Sequence, residues 1–414
     1  MRTETTPGVS ETTRGVSETT RLLRPADMPD NFTRSLYKVA PYRGCAHGCR
    51  YCDGRAERYY VEGDFERDIV ERRDVPDRLA RDLARARESG LIAFGSGTTD
   101  PYQPREKELF ITGRCARILA DHSSRVGASE APRFPALVMT KSVLALRDLP
   151  LWKKVNGNAG FVLLVSLTSL DERLREIMEP GASPFRERLE MARAFKEAGC
   201  AVGILAMPLL PGLSDGEASI RSLYEAASEA GVDFLMPGGL TLRPGRQKDL
   251  YLATLGGFRP DLLEGVRAAF REERPSGAPR ASAWKPVASR IAAVRREFGL
   301  PRLLPHRLFA AMLPPHDSFR VLLRDMVELY GERNVDTAPL RRSADRYDAW
   351  LVGERRVFRR RRTLEPSWLD GIAAAALRDG RLAEVLDNPR LFRFAERVIG
   401  EGALLDYRSL ELEG

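Results

Sequence analysis

The sequence predicts an α/β fold: a partial, TIM-like (β/α)6 barrel with a disordered N-terminal tail and a helical C-terminal region. From residue 36 to residue 259, short runs rich in Val, Ile, Leu and Phe alternate with amphipathic stretches of helical length. This alternation is the pattern of β/α repeats around a parallel sheet. Glycines stand shortly before several of the runs, where they can end the preceding helix. Outside this range the alternation is absent, which predicts the two flanking regions.

Six apolar runs are the predicted strands of the sheet. They are Leu36–Ala40, Leu91–Gly95, Ala136–Thr140, Phe161–Leu167, Ala201–Leu210 and Phe234–Leu242. The helices predicted between them are Val75–Glu88, Glu108–Asp121, Leu144–Val155, Pro184–Ala198 and Asp215–Ala230. Right-handed crossovers place the carboxyl ends of parallel strands on one face, and the chemistry of such barrels collects there. Residues at the strand ends are therefore the candidates for a functional site.

The two flanking regions differ in composition. Residues 1–31 contain the heptapeptide GVSETTR twice, at Gly8–Arg14 and at Gly15–Arg21, in a segment rich in Thr, Ser, Glu and Arg. Such a segment buries too little apolar surface to fold and is predicted to be disordered. Residues 260–414 contain several amphipathic stretches of helical length. The predicted organisation is therefore a tail over 1–31, a barrel over 32–259 and a mostly helical region over 260–414.

Composition excludes several classes of protein. Three of the five cysteines crowd into eight positions, which does not suit a disulfide framework and favours a reducing compartment. No segment approaches the roughly 20 apolar residues that a membrane-spanning helix needs, and the first thirty residues lack the apolar core of a secretory signal. We therefore expect a cytoplasmic protein that does not enter a membrane.

Positive charge is concentrated in one stretch of the chain. Lys and Arg number 66 against 58 Asp and Glu, and nine of the arginines lie between Arg341 and Arg362. Phosphate contacts supply most of the non-specific affinity for nucleic acids, so this stretch is a candidate nucleic-acid site. The arginines alternate with apolar residues such as Tyr347 and Phe358. The solvated face of a packed helix or strand explains the charge equally well.

The segment Tyr42–Cys52 reads YRGCAHGCRYC and follows the first predicted strand directly. It contains Cys45, Cys49 and Cys52. Thiolates ligate iron–sulfur clusters, and a [4Fe-4S] cluster held by three cysteines leaves its fourth iron open to another ligand. Gly44 and Gly48 allow the backbone to curl closely around such a cluster.

A zinc site is the alternative interpretation of these cysteines, with His47 as a possible fourth ligand. Structural zinc is usually held by paired CxxC knuckles that are well separated in sequence. This chain has no second knuckle, because Cys115 and Cys200 each stand alone. A cluster is therefore the preferred interpretation.

Together with its context, the CxxxCxxC spacing resembles the cluster motif of radical SAM enzymes. The chain is similar to the group that includes spore photoproduct lyase and proteins often labelled DNA repair photolyases. The segments that carry the resemblance are PYRGCAHGCRYC at Pro41–Cys52, GTTDPYQPRE at Gly97–Glu106, TKS at Thr140–Ser142, VSL at Val165–Leu167 and MPLLPGLSD at Met207–Asp215. They span roughly half of the chain.

The resemblance implies an enzyme with two cofactors, a [4Fe-4S] cluster and S-adenosylmethionine (SAM). In this family the reduced cluster cleaves SAM to a 5′-deoxyadenosyl radical, and Cys45, Cys49 and Cys52 match the cluster ligands. The implied SAM contacts are Tyr51 near the adenine, Thr99 and Asp100 at the amino group, Lys141 at the carboxylate and Ser166 at the ribose. The family also implies an electron donor such as flavodoxin or ferredoxin. The substrate is unidentified, and nucleic acid is one candidate.

The chain departs from spore photoproduct lyase where that enzyme has a hydrogen-donating cysteine, since Ser96 and Gly97 stand there instead. We therefore do not expect repair of spore photoproduct, and Tyr102 is the candidate catalytic residue that replaces the cysteine. Asp53 is a smaller departure, at a position where relatives often carry an aromatic residue. The alternative function is a non-catalytic iron–sulfur or zinc-binding regulatory protein. Formation of 5′-deoxyadenosine would separate the two functions.

Overall fold

The computed structural model describes residues 21–59, 63–95, 97–126 and 131–413. The two GVSETTR repeats, apart from Arg21, lie outside the described residues, and so does Ser96.

A six-stranded parallel sheet forms the centre of the fold. Its strands are β1 (Tyr37–Val39), β2 (Ile92–Phe94), β3 (Ala136–Thr140), β4 (Phe161–Ser166), β5 (Ala201–Leu209) and β6 (Phe234–Gly239). Each strand pairs in parallel with the next one in the chain. A doubly wound sheet would reverse its strand order at a switch point, whereas a single direction is typical of a barrel. The predicted fold class, a partial TIM-like barrel, is confirmed.

Among the described residues, seven α-helices lie between β1 and β6. They are α1 (Val75–Leu83), α2 (Glu106–Leu109), α3 (Ile111–Val126), α4 (Leu149–Asn158), α5 (Glu172–Met178), α6 (Phe185–Glu197) and α7 (Glu217–Glu229). Successive strand side chains point to opposite faces. In β4, Leu163 and Val165 pack against these helices in an outer core. Val162 and Leu164 pack in a separate inner core.

The C-terminal region supplies most of the inner core. The helices that follow β6 are α8 (Arg246–Phe258), at the end of the predicted barrel range, and then α9 (Pro260–Ala269), α10 (Ala281–Phe298), α11 (His306–Phe309), α12 (Pro315–Glu332), α13 (Ala338–Arg360), α14 (Pro366–Asp370), α15 (Ile372–Arg378), α16 (Arg381–Leu386) and α17 (Pro389–Ala395). Phe309 and Phe319 are fully buried against the inner face of the sheet. The main-chain N–H of Leu235 in β6 donates to the carbonyl oxygen of Pro301 at 2.9 Å. The helical region therefore fills the open side of the partial barrel and covers part of its last strand.

Packing crosses the predicted domain boundary at residue 259. Helix α9 packs on α8, and α10 packs on α7, which belongs to the barrel. The division into a barrel and a helical region stays a prediction, but these contacts favour a boundary closer to residue 300.

The predicted disorder of residues 1–31 is wrong for the part of that range that the structure describes, which begins at residue 21. Leu23 is fully buried in the outer core. The main-chain N–H groups of Leu22 and Leu23 donate to Asp82 Oδ2 at 2.6 and 2.8 Å. The carbonyl oxygen of Pro29 accepts from Arg320 Nη1 at 2.9 Å. These partners lie far along the chain, so the composition of the segment alone did not reveal them.

The arginine-rich stretch forms most of helix α13. Two of its arginines, Arg355 and Arg359, form ion pairs with residues of other segments. Arg355 is fully buried and pairs with Glu88 at 2.8 Å and Asp317 at 2.5 Å. Arg359 pairs with Glu88 and with Asp27, both at 3.0 Å. These guanidinium groups hold the helix against the barrel, so they are not free to bind a nucleic acid.

Within the described residues, no helix is long and apolar enough to cross a membrane.

Candidate active site

The cysteine loop follows β1 and is held by main-chain hydrogen bonds from several neighbouring segments. The N–H of Cys45 donates to the carbonyl oxygen of Phe65 at 2.9 Å, and the N–H of Arg50 donates to that of Met178 at 2.8 Å. The loop bends through Gly48 at a φ of +65°, where a Cβ atom would lie 2.7 Å from Glu66 Oε2. The left-handed conformation favours glycine there, and a larger residue would also have to displace the Glu66 side chain.

The three cysteines of the loop are free thiols, and Cys45 and Cys49 are buried. Burial raises the pKa of Cys45 well above its ordinary value, and Asp100, Cys49 and Cys52 raise it further. Burial likewise raises the pKa of Cys49 to about 12. The sulfurs therefore lie within electrostatic reach of one another. Bound iron would instead lower the pKa of these thiols, because metal ions stabilise thiolates.

This donor set fits an iron–sulfur cluster better than a single metal ion. No three His, Cys, Asp or Glu side chains of the described ranges converge as they would around one ion. The cysteines of a [4Fe-4S] cluster bind separate irons and need not converge on one point. Three soft thiol donors in one glycine-containing loop suit such a cluster.

His47 does not complete a zinc site with these cysteines. Its Nδ1 lies 2.8 Å from the carbonyl oxygen of Gly181, which can only accept, so Nδ1 carries a proton and donates. Its Nε2 lies 3.2 Å from Asp100 Oδ2. Nδ1 is therefore occupied, whereas Nε2 lies near Asp100 without a hydrogen bond to any described residue, so one ring nitrogen at most is left for the zinc interpretation.

Asp100 connects the carboxyl ends of three strands. Its Oδ1 accepts from the Thr140 hydroxyl and the Tyr102 N–H, and its Oδ2 accepts from the Lys141 N–H, each at 2.8 Å. Burial alone would raise the pKa of Asp100, but His47 and the main-chain donors outweigh burial and lower it. Asp100 is thus an ionised, buried carboxylate whose oxygens are already occupied.

Thr99 and Gln103 hold the cysteine loop from the end of β2. The Thr99 hydroxyl donates to the carbonyl oxygen of Gly44 at 2.8 Å. The fully buried Gln103 accepts from the Ala46 N–H at 2.9 Å and donates to the Gly44 carbonyl oxygen at 3.3 Å. Gln103 was not predicted as a site residue, although it lies within the GTTDPYQPRE segment.

We expect Gln103→Leu to lower the iron content of the reconstituted protein clearly below that of the wild type. The substitution leaves the main-chain N–H of Ala46 without its partner, at a cost of about 1–3 kcal/mol, while the Gly44 carbonyl oxygen keeps the Thr99 hydroxyl. Iron and acid-labile sulfide per chain measure the effect. Asn156→Leu is the matched control, because Asn156 also bonds main-chain groups, at Gly199 and Phe161, but before β4. Equal iron loss in both variants would contradict a specific role for Gln103.

Lys141 lies beside the cysteine loop at Tyr51, and Ser166 ends β4, the neighbour of the strand that Lys141 follows. Lys141 Nζ lies 5.8 Å from the centroid of the Tyr51 ring, and this ammonium group has no ion pair within the described part of the chain. Ser166 ends β4 on the side of Val162 and Leu164, and its hydroxyl bonds to no described residue. Both groups are therefore available to a ligand.

A buried ion pair between Glu179 and Arg188 supports this group and was not predicted. Both side chains are fully buried, and Arg188 Nη2 lies 2.6 Å from Glu179 Oε2. Glu179 also accepts from the hydroxyls of Tyr51 and Thr168, and Arg188 donates to the carbonyl oxygen of Ser166 at 3.0 Å. The pair connects the end of the cysteine loop to the end of β4. Arg186, on the same helix as Arg188, is exposed and pairs with Glu190.

Asp53 ties the cysteine loop to the segment after β6. It accepts from Arg243 Nε and from the Tyr59 hydroxyl, both at 2.7 Å. Gln247, at the start of α8, is fully buried and donates to the carbonyl oxygen of Tyr51 at 2.9 Å. The acidic residue at position 53 therefore has a structural partner in Arg243.

Tyr102 is not part of this site, which corrects its predicted catalytic role. Its side chain is fully buried in the outer core between sheet and helices. The hydroxyl donates to Asp148 at 2.9 Å and accepts from Trp152 Nε1 at 2.7 Å. Both hydrogen-bonding functions are occupied on the wrong side of the sheet for a substrate at the cysteine loop.

Comparison with known proteins agrees with this geometry. A sequence model of the radical SAM superfamily matches residues 39–223, a range that contains the cysteine loop and the carboxyl ends of β1 to β5. The uncharacterised protein Rv2578c of Mycobacterium tuberculosis is 31% identical over 242 residues, which are 57% of this chain and 67% of that protein. The uncharacterised protein ORF301 of Acidianus two-tailed virus is 29% identical over 46% of this chain and 62% of its own length.

Solved structures similar to this chain include spore photoproduct lyase complexed with dinucleoside spore photoproduct. That structure is 17% identical, with a TM-score of 0.48, over 67% of this chain and 77% of its own. Streptococcus suis SuiB bound to SAM is 13% identical, with a TM-score of 0.35, over 55% of this chain and 47% of its own. From the superfamily match and the mycobacterial relative, we conclude that the chain belongs to the radical SAM superfamily and is an enzyme of that type.

Proposed function

We propose that the chain holds a [4Fe-4S] cluster on Cys45, Cys49 and Cys52 and uses it to cleave SAM reductively. The observation that carries this proposal is the position of Lys141, whose ammonium has no ion pair within the described residues, lies 5.8 Å from the centroid of the Tyr51 ring and opposes the rise in the pKa of Cys49. A bound cluster supplies the electron that breaks a carbon–sulfur bond of SAM and releases the 5′-deoxyadenosyl radical.

The residues of the chain bind and orient SAM in this proposal. Lys141 attracts the methionine carboxylate, and Ser166 offers a hydroxyl to the ribose. Tyr51 offers an aromatic face to the adenine, and its own hydroxyl is held by Glu179. Thr99 and Asp100 act as positioning residues, because their side-chain oxygens already bond the Gly44 carbonyl and the ends of β2 and β3.

We expect Lys141→Met to weaken SAM binding about tenfold to a hundredfold, because a hydrogen bond to a charged group contributes about 1.5–3 kcal/mol. The SAM-dependent change in the electron paramagnetic resonance spectrum of the reduced cluster measures affinity apart from turnover. Lys153→Met is the control, since Lys153 is exposed on α4. Unchanged SAM affinity in Lys141→Met would remove Lys141 from the proposed site.

The whole proposal is tested by anaerobic reconstitution with iron and sulfide, reduction with dithionite and measurement of 5′-deoxyadenosine from SAM. A complete cluster without SAM cleavage would favour the regulatory alternative. A small electron carrier, flavodoxin or ferredoxin, is the proposed physiological reductant. Reduced flavodoxin in place of dithionite should then support the same product.

Nucleic acid was the candidate substrate class suggested by Arg341–Arg362. In helix α13, Arg355 and Arg359 are engaged in ion pairs with Glu88, which precedes β2 and therefore lies at the amino edge of the sheet. The cysteine loop lies at the carboxyl edge. Nucleic acid bound by this helix therefore lies at the amino edge of the sheet. The reacting group of the substrate must instead approach the carboxyl edge, so the two are separate sites.

A further inference from the structure

Three segments of the chain bring exposed arginines together at the amino edge of the sheet. They are the segment before β1, the end of α1 and the end of α13. We call this surface the basic patch, and it comprises Arg24, Arg81, Arg85, Arg360, Arg361 and Arg362, all of which are exposed.

Hydrogen bonds between the segments hold the patch together. The N–H groups of Leu22 and Leu23 donate to Asp82 in α1. Arg359 of α13 donates to the carbonyl oxygen of Ala26 at 2.7 Å. Arg87, shortly after α1, lies 4.7 Å from the centroid of the Phe358 ring and donates to the carbonyl oxygen of Leu364. The N-terminal segment therefore joins α1 to the end of α13.

A buried tyrosine gives independent support for this proximity. Tyr37 donates its hydroxyl to the carbonyl oxygen of Glu88 at 2.7 Å. Burial and Glu88 raise the pKa of Tyr37, while Arg21, Arg359 and Arg355 oppose that rise. Positive charges of both the N-terminal segment and α13 thus act on one buried hydroxyl.

The six guanidinium groups of the patch have no carboxylate partner within the described ranges. Other arginines of the protein are paired: Arg302 with Glu328 at 2.7 Å, and Arg324 with Asp348 at 2.6 Å. Gathering like charges without counter-charges destabilises a compact state through mutual repulsion. A polyanionic ligand would remove this repulsion.

The patch and the cysteine loop lie at opposite ends of the strands. The arginines at the end of α1 precede β2, whereas the cysteines follow β1, which is parallel to β2. β1 and β2 have three residues each, but β3, which pairs with β2, has five and spans roughly 17 Å. A ligand on the patch is therefore separated from the cysteine loop of the same chain by the length of the sheet.

We propose that the basic patch binds the phosphate backbone of a nucleic acid and anchors the enzyme there, apart from the site of SAM cleavage. The planar fork of arginine matches phosphate oxygens in a bidentate geometry. A membrane surface fits less well, because membrane-surface helices add large apolar anchors to basic residues. Near the patch, Val357 is the large apolar residue of α13 that is exposed, at 37%. This proposal does not depend on SAM cleavage.

The test is fluorescence anisotropy of the full chain with a short labelled DNA duplex and a labelled single-stranded RNA, at low and at physiological ionic strength. We expect salt-sensitive binding of at least one of them. The triple variant Arg360→Gln, Arg361→Gln, Arg362→Gln should bind about tenfold or more weakly, with a log–log salt slope reduced by about 2 to 3. The double variant Arg81→Gln, Arg85→Gln should weaken binding in the same direction from a different segment.

The double variant Arg341→Gln, Arg342→Gln is the matched control, because it removes exposed arginines from the other end of α13. Its affinity should stay within about twofold of the wild type, and its 5′-deoxyadenosine formation should match that of the patch variants. Two results would overturn the proposal: equal loss in patch and control variants, or no binding of either nucleic acid by the intact protein. Patch-dependent sedimentation with phosphatidylglycerol vesicles, without binding to nucleic acid, would identify a membrane surface instead.

Discussion

Cys49→Ala is expected to abolish 5′-deoxyadenosine formation and to remove most of the bound iron. Cys49 is the middle cysteine of the loop and is buried among Tyr51, Leu174 and Met178. Its backbone carbonyl also accepts from Arg55 Nε at 2.9 Å, so Arg55 fixes the main chain of the loop at this residue. A cluster with two cysteine ligands loses a thiolate that binding requires. Product analysis by liquid chromatography and iron content per chain measure the two effects.

Cys115→Ala and Cys200→Ala provide the controls for this prediction. Both cysteines are buried in the outer core, away from the loop. Burial raises the pKa of Cys200 to about 11, as expected of an inert thiol. These variants should keep their iron and their activity. SAM cleavage by Cys49→Ala at a rate near that of the controls would refute the proposed ligand set.

Arg188→Met is expected to have the second largest effect, a loss of about 3–5 kcal/mol in the free energy of unfolding. The substitution leaves Glu179 buried without its cation, and removing one partner of a buried pair strands the other charge. Urea denaturation followed by circular dichroism measures the loss. Arg186→Met is the matched control on the same helix, since the Arg186 side chain is 88% exposed. Its effect should stay within about 0.5 kcal/mol.

The double variant Glu179→Gln, Arg188→Met separates the charge effect from simple loss of packing. We expect it to be more stable than Arg188→Met, because no uncompensated charge stays buried. A double variant that is less stable than Arg188→Met would contradict this explanation.

The same pair predicts how the stability difference depends on pH. Burial alone would raise the pKa of Glu179, but Arg188 and Lys141 lower it from 4.5 to about 2. A carboxyl with a lowered folded-state pKa stabilises the fold above its unfolded value, and this contribution is lost as pH falls from 4.5 toward 2. The gap between wild type and Arg188→Met should therefore be largest near neutral pH and should narrow below about pH 4.5.

The strands were the most predictable part of this fold. The five-residue run Ala136–Thr140 is a strand with the predicted bounds, and Ala201–Leu210 differs by one residue. Apolar β-branched runs between helices signal buried parallel strands without help from distant residues. The predicted helix Val75–Glu88 is too long, because α1 ends at Leu83. Glu88 instead enters the ion pair with Arg355, which no local pattern reveals.

Long-range partners explain what the sequence did not predict at the site. Tyr51 and Glu179, which share a hydrogen bond, lie 128 residues apart in the sequence. Taken alone, a tyrosine and a glutamate at these positions look like ordinary core or surface residues. Helix α13 was predicted only as a packed helix or strand, because its arginines obscure the apolar spacing of Tyr347, Leu351 and Phe358. That spacing follows the helical period and would have predicted a helix packed on one side.

The contact between Leu235 and Pro301 bears on the solubility of this protein. A closed eight-stranded barrel has no free strand edge, whereas a six-stranded sheet has two. The carbonyl oxygen of Pro301 occupies a donor of β6 that another chain could otherwise pair with. The residues after the barrel therefore block intermolecular strand pairing at this point of the β6 edge, in addition to filling the interior of the barrel. In this partial barrel, an appended helical region supplies at β6 part of the protection that closure gives a complete one.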